Sequence, residues 1–119
     1  MALSGEGWTE VDYAFGGATV RLAHATFRRM VVDANPGVAL ATFVHSWNPS
    51  LGHVMDALYE PVWSTHEAQV HDERVPSAAL SLQRVLRAKA AHEAARAVAF
   101  DLVGVLRHDL LFFSPLRLR

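Results

Sequence analysis

The chain has no cysteine among its 119 residues, and this absence removes several chemistries at once. Disulfide bonds, thiolate zinc sites and cysteine nucleophiles are excluded. Lysine is also scarce, because a single lysine stands beside ten arginines, a bias that we interpret as the mark of a bacterial genome rich in G and C. No apolar run is long enough to span a bilayer, and the start of the chain lacks the pattern of a secretory signal. We therefore expect a cytoplasmic protein with no membrane association.

Composition indicates one globular domain. Hydrophobic residues make up 51% of the chain and charged residues 19%, so a sizeable core can form without a disulfide bond or a structural metal ion. We predict a single domain over residues 1–119, with loose tails at 1–8 and 114–119. The net charge is −1, but the basic residues concentrate in the last third of the chain. No cluster of basic and aromatic residues accompanies that asymmetry, so nucleic acid is not the expected partner.

Residues 9–24 carry the pattern of a β-hairpin. Apolar and polar residues alternate on both sides of a Gly-Gly dipeptide at 16–17, which is a typical two-residue hairpin loop. The implied register places Asp12 opposite Arg21, an oppositely charged pair across the ladder. Pattern, turn and charge therefore agree on an antiparallel pair of strands.

An Asn-Pro-Gly turn at 35–37 follows, with proline at its second position and glycine at its third. Residues 38–45 are as strand-like as any in the chain, so we predict an antiparallel three-stranded meander over Thr9–Trp47. One alternative stays open, because residues 19–34 also present the apolar stripe of an amphipathic helix. If that stretch is helical, the domain becomes a helical bundle.

The remainder of the chain is predicted to be helical. Ser50 is a candidate N-cap, and the apolar spacing predicts a helix over 50–71 that Pro61 breaks. No proline interrupts the helical composition of 77–113, so one long C-terminal helix is expected to pack on the sheet. Its alanine-rich middle and apolar end predict a homodimer interface. The predicted fold class is therefore α+β, with a meander, a broken helix and the long helix in that order.

Histidines supply the candidate site, since the chain has seven of them. His45 and Trp47 end the last predicted strand. Aromatic rings with polar groups at a junction of sheet and helix are typical of a small-molecule pocket. We predict that these two residues bind a ligand together with residues from the broken helix, namely His53, Trp63 and His66.

Metal binding is an alternative use of the same region. Glu67 and His71 lie four residues apart, which brings both to one side of a helix, and His66 is adjacent. Imidazole and carboxylate are suitable ligands for zinc, iron or nickel. The H-E-x-x-H pattern is absent. The sequence thus requires no cofactor, and a transition metal held by His66, Glu67 and His71 is the minority interpretation.

The function that follows is a non-catalytic, dimeric binding or assembly module. It would engage a protein partner or a small apolar ligand in a groove between sheet and helices. The alternative is a small enzyme that uses histidine and carboxylate groups of residues 45–71, with or without a metal. Nucleophilic hydrolysis has no support, because G-x-S-x-G is absent, and no catalytic residue is assigned.

Overall fold

The computed structural model describes residues 17–68 and 76–118 in full and the backbone of residues 2–5. A π-helical turn at Arg28–Val32 continues the first helix, and a 3₁₀ turn at Pro49–Leu51 precedes the second. The fold is mixed, with strands and helices alternating along the chain: β1 (Ala2–Gly5), α1 (Ala18–Phe27), β2 (Phe43–Ser46), α2 (Gly52–Tyr59), β3 (Trp63–His66), α3 (Ser77–Arg96) and β4 (Val105–Arg107).

The strands form one sheet in the order β3-β2-β1-β4, and all the pairings are parallel. Gly5 is in register with Ser46, and Ser46 with His66, so the carboxyl ends of these strands meet at one edge. We call this the carboxyl edge. The chain adds β2 and β3 on one side of β1 and β4 on the other. The direction of winding therefore reverses between β1 and β4.

Helices cover both faces of the sheet. Val44 of β2 packs with residues of α1 and α2 in one cluster that includes Val20 and Met55. Phe43, its neighbour in the strand, packs instead with Val85 of α3. This alternation is the normal consequence of the two-residue period of a strand. It also decides which helix each functional side chain of β2 can reach.

The predicted antiparallel meander is wrong. Its first strand, residues 9–15, lies outside the described residues, and its second strand is the helix α1. Val20, Ala23, Phe27 and Val31 are buried at helical spacing, which is the stripe of the alternative helical interpretation. Gly17 adopts a positive φ of 82° and occupies the N-cap position of α1, so it starts a helix and does not close a hairpin.

The Asn-Pro-Gly turn at 35–37 is confirmed. The amide of Val38 donates to the carbonyl of Asn35 at 3.2 Å, and Gly37 has the positive φ that the third position needs. Asn35 also holds residues from the segment predicted as a loose tail. Its Nδ2 donates to the carbonyl of Leu116 at 2.6 Å, and its Oδ1 accepts from the amide of Leu118 at 2.8 Å.

The two predicted helices are shorter than expected. The broken helix over 50–71 ends at Glu60, which has a left-handed φ of 46°, and the chain beyond Pro61 forms β3. The long helix ends at Arg96, because Ala97 is also left-handed. The following segment is rich in valine, a strong strand former, and contains β4. Within the described residues, no helix combines the length and hydrophobicity needed to cross a membrane.

Candidate functional site

The carboxyl edge collects the polar side chains of β2 and β3. Because successive residues of a strand point to opposite faces, His45 lies on the α3 side of the sheet and Ser46 on the α2 side. The residues at the end of β3 divide in the same way, with Glu67 beside His45 and His66 beside Ser46. Two separate hydrogen-bonded chains result, one on each face.

The first chain links α3 to the end of β3 through His45. The Nδ1 atom of His45 lies 2.7 Å from Oγ of Ser81, and its Nε2 atom lies 3.1 Å from Oε1 of Glu67. The same Oε1 accepts from Nε of Arg84 at 2.9 Å. His45 and Ser81 are fully buried, whereas the Glu67 and Arg84 side chains are 28% and 32% exposed. This series of hydrogen bonds therefore runs from the core to the surface.

The protonation states of the groups in this first hydrogen-bonded chain follow from burial and charge. Burial lowers the pKa of His45, and the attraction of Glu67 offsets only part of that effect. The pKa of Glu67 is also lowered, mainly by its hydrogen bond with Arg84. At neutral pH an ionised Glu67 therefore accepts a hydrogen bond from Nε2 of a neutral His45. Nδ1 is then the acceptor for the hydroxyl of Ser81.

The second chain lies on the α2 face. Oγ of Ser46 is 2.6 Å from Nδ1 of His66, and Nε2 of His66 is 2.9 Å from Oδ1 of Asp56. The imidazole lies against the first turn of α2. A Cβ at Gly52 would come within 2.5 Å of Cδ2 of His66, so the missing side chain of this glycine is what makes room for the ring.

Serine, histidine and aspartate in series are the components of a hydrolytic triad, but the serine here is inaccessible. Ser46 has no exposed surface, and its Oγ also accepts from the amide of Asn48 at 3.3 Å. A nucleophile must reach the atom that it attacks. The chain of Ser46, His66 and Asp56 therefore orients the imidazole and the carboxylate and does not present a nucleophilic hydroxyl.

The other predicted ligand-binding residues are dispersed. Trp47 is buried beside His45, with ring centroids 4.5 Å apart, and its Nε1 donates to the carbonyl of Ser77 at 3.3 Å. Trp63 is half-buried and packs against the Phe43 cluster. His53 is exposed on α2. Of the five predicted residues, the structure brings His45, Trp47 and His66 to the carboxyl edge. Trp63 lies at the opposite end of β3, and His53 is exposed in the first turn of α2, next to Gly52.

The predicted metal ligands do not converge. His66 contacts Asp56 on the α2 face, and Glu67 contacts His45 and Arg84 on the α3 face. His71 lies outside the described residues. Within the ranges that the structure describes, no group of three or more histidine, aspartate and glutamate side chains is arranged to hold a metal ion. The metal interpretation thus has no geometric support from His66 and Glu67.

Some functional groups of the edge were not singled out from the sequence. Ser81 and Arg84 lie one turn apart on α3, and their 36- and 17-residue separations from His45 and Glu67 hide the contacts. At the end of β4, Arg107 pairs with Asp109 through Nη2 and Oδ2 at 2.9 Å. Had the parallel register of the strands been predicted, it would have placed these groups at one edge of the sheet.

A separate apolar groove runs along the outer face of α3. Its volume is about 420 Å³, and Leu86 at its centre is 41% exposed. Among the described residues, those that line it all belong to α3: Ala79, Leu82, Gln83, Leu86, Arg87 and Ala90. The groove predicted between sheet and helices is not this one, because α3 turns this face away from the sheet.

Comparison of the chain with protein families, with curated proteins and with solved structures found no match.

Proposed function

We propose that the chain binds a small polar molecule at the carboxyl edge of its sheet. One observation carries this proposal: four parallel strands end at the same edge, and hydrogen-bonding side chains follow three of them. In open parallel sheets, ligands bind in the crevice outside the carboxyl ends of the strands. The binding module predicted from the sequence is thus kept, but the ligand changes from apolar to polar.

The exposed groups of the edge support a polar ligand. Asp56 is 41% exposed, and Glu67 and Arg84 are each about one-third exposed. Glu67 is fixed by the buried His45, Arg84 by Glu67, and Asp56 by the mostly buried His66, which reduces the entropy lost on binding. His45 and Trp47 are buried behind them, so their contribution is to position the exposed groups.

A small enzyme that uses residues 45–71 is the second candidate. It is favoured by the two pairs of histidine and carboxylate, since such pairs serve as general acids and bases. His66 with Asp56 is the better placed pair for proton transfer, because His45 is fully buried. Copurification of one equivalent of transition metal would favour the metal-dependent form of this enzyme. The bacterial origin and the cytoplasmic location of the protein stay predictions.

Homodimer formation through α3 completes the proposal. The groove residues recur at the spacing of one helix face, and an antiparallel pair of α3 helices would place that face against itself. Ala79 would then oppose Ala90 of a second copy, and Gln83 would oppose Leu86. Small residues at both ends allow a close approach of the helices, and a two-fold interface needs this kind of self-complementary surface.

The ligand proposal is tested by screening polar metabolites against the ¹⁵N-labelled chain and recording backbone amide spectra. We expect saturable shifts in residues that follow the strands, such as 46–48, 67–68 and 108–109. Residues at the amino ends of the strands, such as 42–43 and 62–63, are the internal control. Binding that shifts only those residues, or only the outer face of α3, would contradict the proposal.

A further inference from the structure

Arg84 presents an unused fork of hydrogen-bond donors at the carboxyl edge. All the hydrogen bonding that Arg84 makes within the described residues goes through Nε, to Oε1 of Glu67 at 2.9 Å. An arginine has five N–H donors in a fixed plane. The two Nη groups are therefore left for a ligand, on a side chain that is 32% exposed.

The fork is held in place from the core. Oε1 of Glu67 also receives Nε2 of His45, and Nδ1 of His45 is fixed by Ser81 at 2.7 Å. Two fully buried residues thus anchor the carboxylate that orients the guanidinium. A surface arginine normally loses much side-chain entropy when it binds. Here that loss has largely occurred on folding, which makes the site suited to binding.

We infer that Arg84 receives an oxyanion, the carboxylate or phosphate group of the ligand proposed above. Carboxylate and phosphate oxygens match the planar fork of a guanidinium and form short, charge-assisted hydrogen bonds with it. The inference rests on the proposed function and adds to it the chemical class of the ligand. Glu67 offsets part of the positive charge, so the oxyanion must approach from the Nη side, away from that carboxylate.

Titration of the ¹⁵N-labelled chain with inorganic phosphate, and separately with acetate, at constant ionic strength tests the inference. We expect saturable shifts at Arg84, Glu67 and Ala68. Tighter binding of phosphate would indicate a phosphorylated ligand, and tighter binding of acetate a carboxylate ligand. Arg84→Gln should weaken binding of the preferred anion at least about tenfold, since a hydrogen bond to a charged group is lost. Arg96→Gln, which removes an exposed charge from the end of α3, should leave it unchanged.

Two further variants separate orientation from charge. Arg84→Lys keeps the charge without the fork and is expected to bind more weakly than the wild type; it also serves if Arg84→Gln does not fold. Glu67→Gln makes the site more positive but loosens Arg84, so we expect weaker binding. Tighter binding in Glu67→Gln, or equal losses in Arg84→Gln and Arg96→Gln, would overturn the inference.

Failure of the inference is distinguishable from failure of the proposed function. If a metabolite from the screen shifts the carboxyl edge with the same affinity in Arg84→Gln as in the wild type, the site stands and the oxyanion assignment falls. If neither anion nor any metabolite shifts the edge of the wild type, both are overturned.

Discussion

The imidazole of His66 packs directly on the backbone of Gly52, at the point where α2 begins. An ideal Cβ on Gly52 would lie 2.5 Å from Cδ2 and 2.6 Å from Cγ of His66. Non-bonded carbon atoms do not approach so closely, and the His66 ring cannot rotate away without losing its hydrogen bond to Ser46 or to Asp56. The position of His66 between Ser46 and Asp56 therefore depends on the absence of a side chain at Gly52.

Gly52→Ala should consequently destabilise the protein, although alanine normally favours a helix. We expect a loss of about 1–3 kcal/mol in the free energy of unfolding, the usual range for overpacking. Urea denaturation measures it. In a His66→Ala background the ring is gone and only the Cβ of residue 66 remains, at 3.1 Å from the new methyl group, so the same substitution should be nearly neutral, within about 1 kcal/mol. An unchanged cost in that background would show that His66 is not the group that excludes the side chain.

Ser46 should not react as a nucleophile. Because its hydroxyl is fully buried, a fluorophosphonate should leave it unlabelled, as read by mass spectrometry of the intact protein and its peptides. Labelling at Ser46 that Ser46→Ala removes would refute this expectation. Ser46→Ala should instead lower stability by about 1–3 kcal/mol, since His66 and the amide of Asn48 lose a partner. Ser50→Ala, at an exposed serine nearby, should change stability by less than about 0.5 kcal/mol.

The buried His45 makes stability depend on pH. Its pKa in the folded chain is below the ordinary value of 6.5 because of burial, so just below that pH the unfolded chain binds more protons at this residue. The free energy of unfolding must therefore fall as the pH drops from 6.5 toward the folded pKa. We expect lower stability at pH 5.5 than at pH 7.5, measured by urea denaturation at both.

A variant separates His45 from the other groups. Glu67, whose pKa is lowered from 4.5, contributes in the same direction, but only below that value. His24 shares the pH window of His45, because burial lowers its pKa too. His45→Gln keeps a donor for Glu67 and an acceptor for Ser81, so it should reduce the difference between pH 7.5 and 5.5 without removing it. An undiminished difference would assign the effect to other residues.

The strand at 18–24 was mispredicted because two periodicities coexist there. Leu22 completes the apolar alternation of a strand, yet it is 56% exposed on the outer face of α1. Val20, Ala23 and Phe27 form the helical stripe that is buried. Local pattern alone did not distinguish them. The outcome depends on packing against Val44 and Met55, which lie far along the chain.

The short strands escaped prediction for a related reason. Four residues of β3 and three of β4 are too few to show a period, and both strands exist through parallel pairing with distant neighbours. Of the candidate residues, His45, His66 and Glu67 lie at the carboxyl edge, and their binding of a ligand stays a prediction. Their partners Ser81 and Arg84 come from α3, so finding them required the register of β2 against β3.

The outer face of α3 gives the last prediction, which concerns assembly. We expect the chain to be a dimer by sedimentation equilibrium. Leu86→Glu would place a charge at the centre of the apolar groove and should give monomers that still unfold cooperatively in urea, because Leu86 is already 41% exposed, with a midpoint lowered by the loss of the stabilising partner. Leu22→Glu is the matched control on the outer face of α1, and it should leave the dimer intact. A monomeric wild type, or a Leu86→Glu variant that stays dimeric, would remove α3 as the interface.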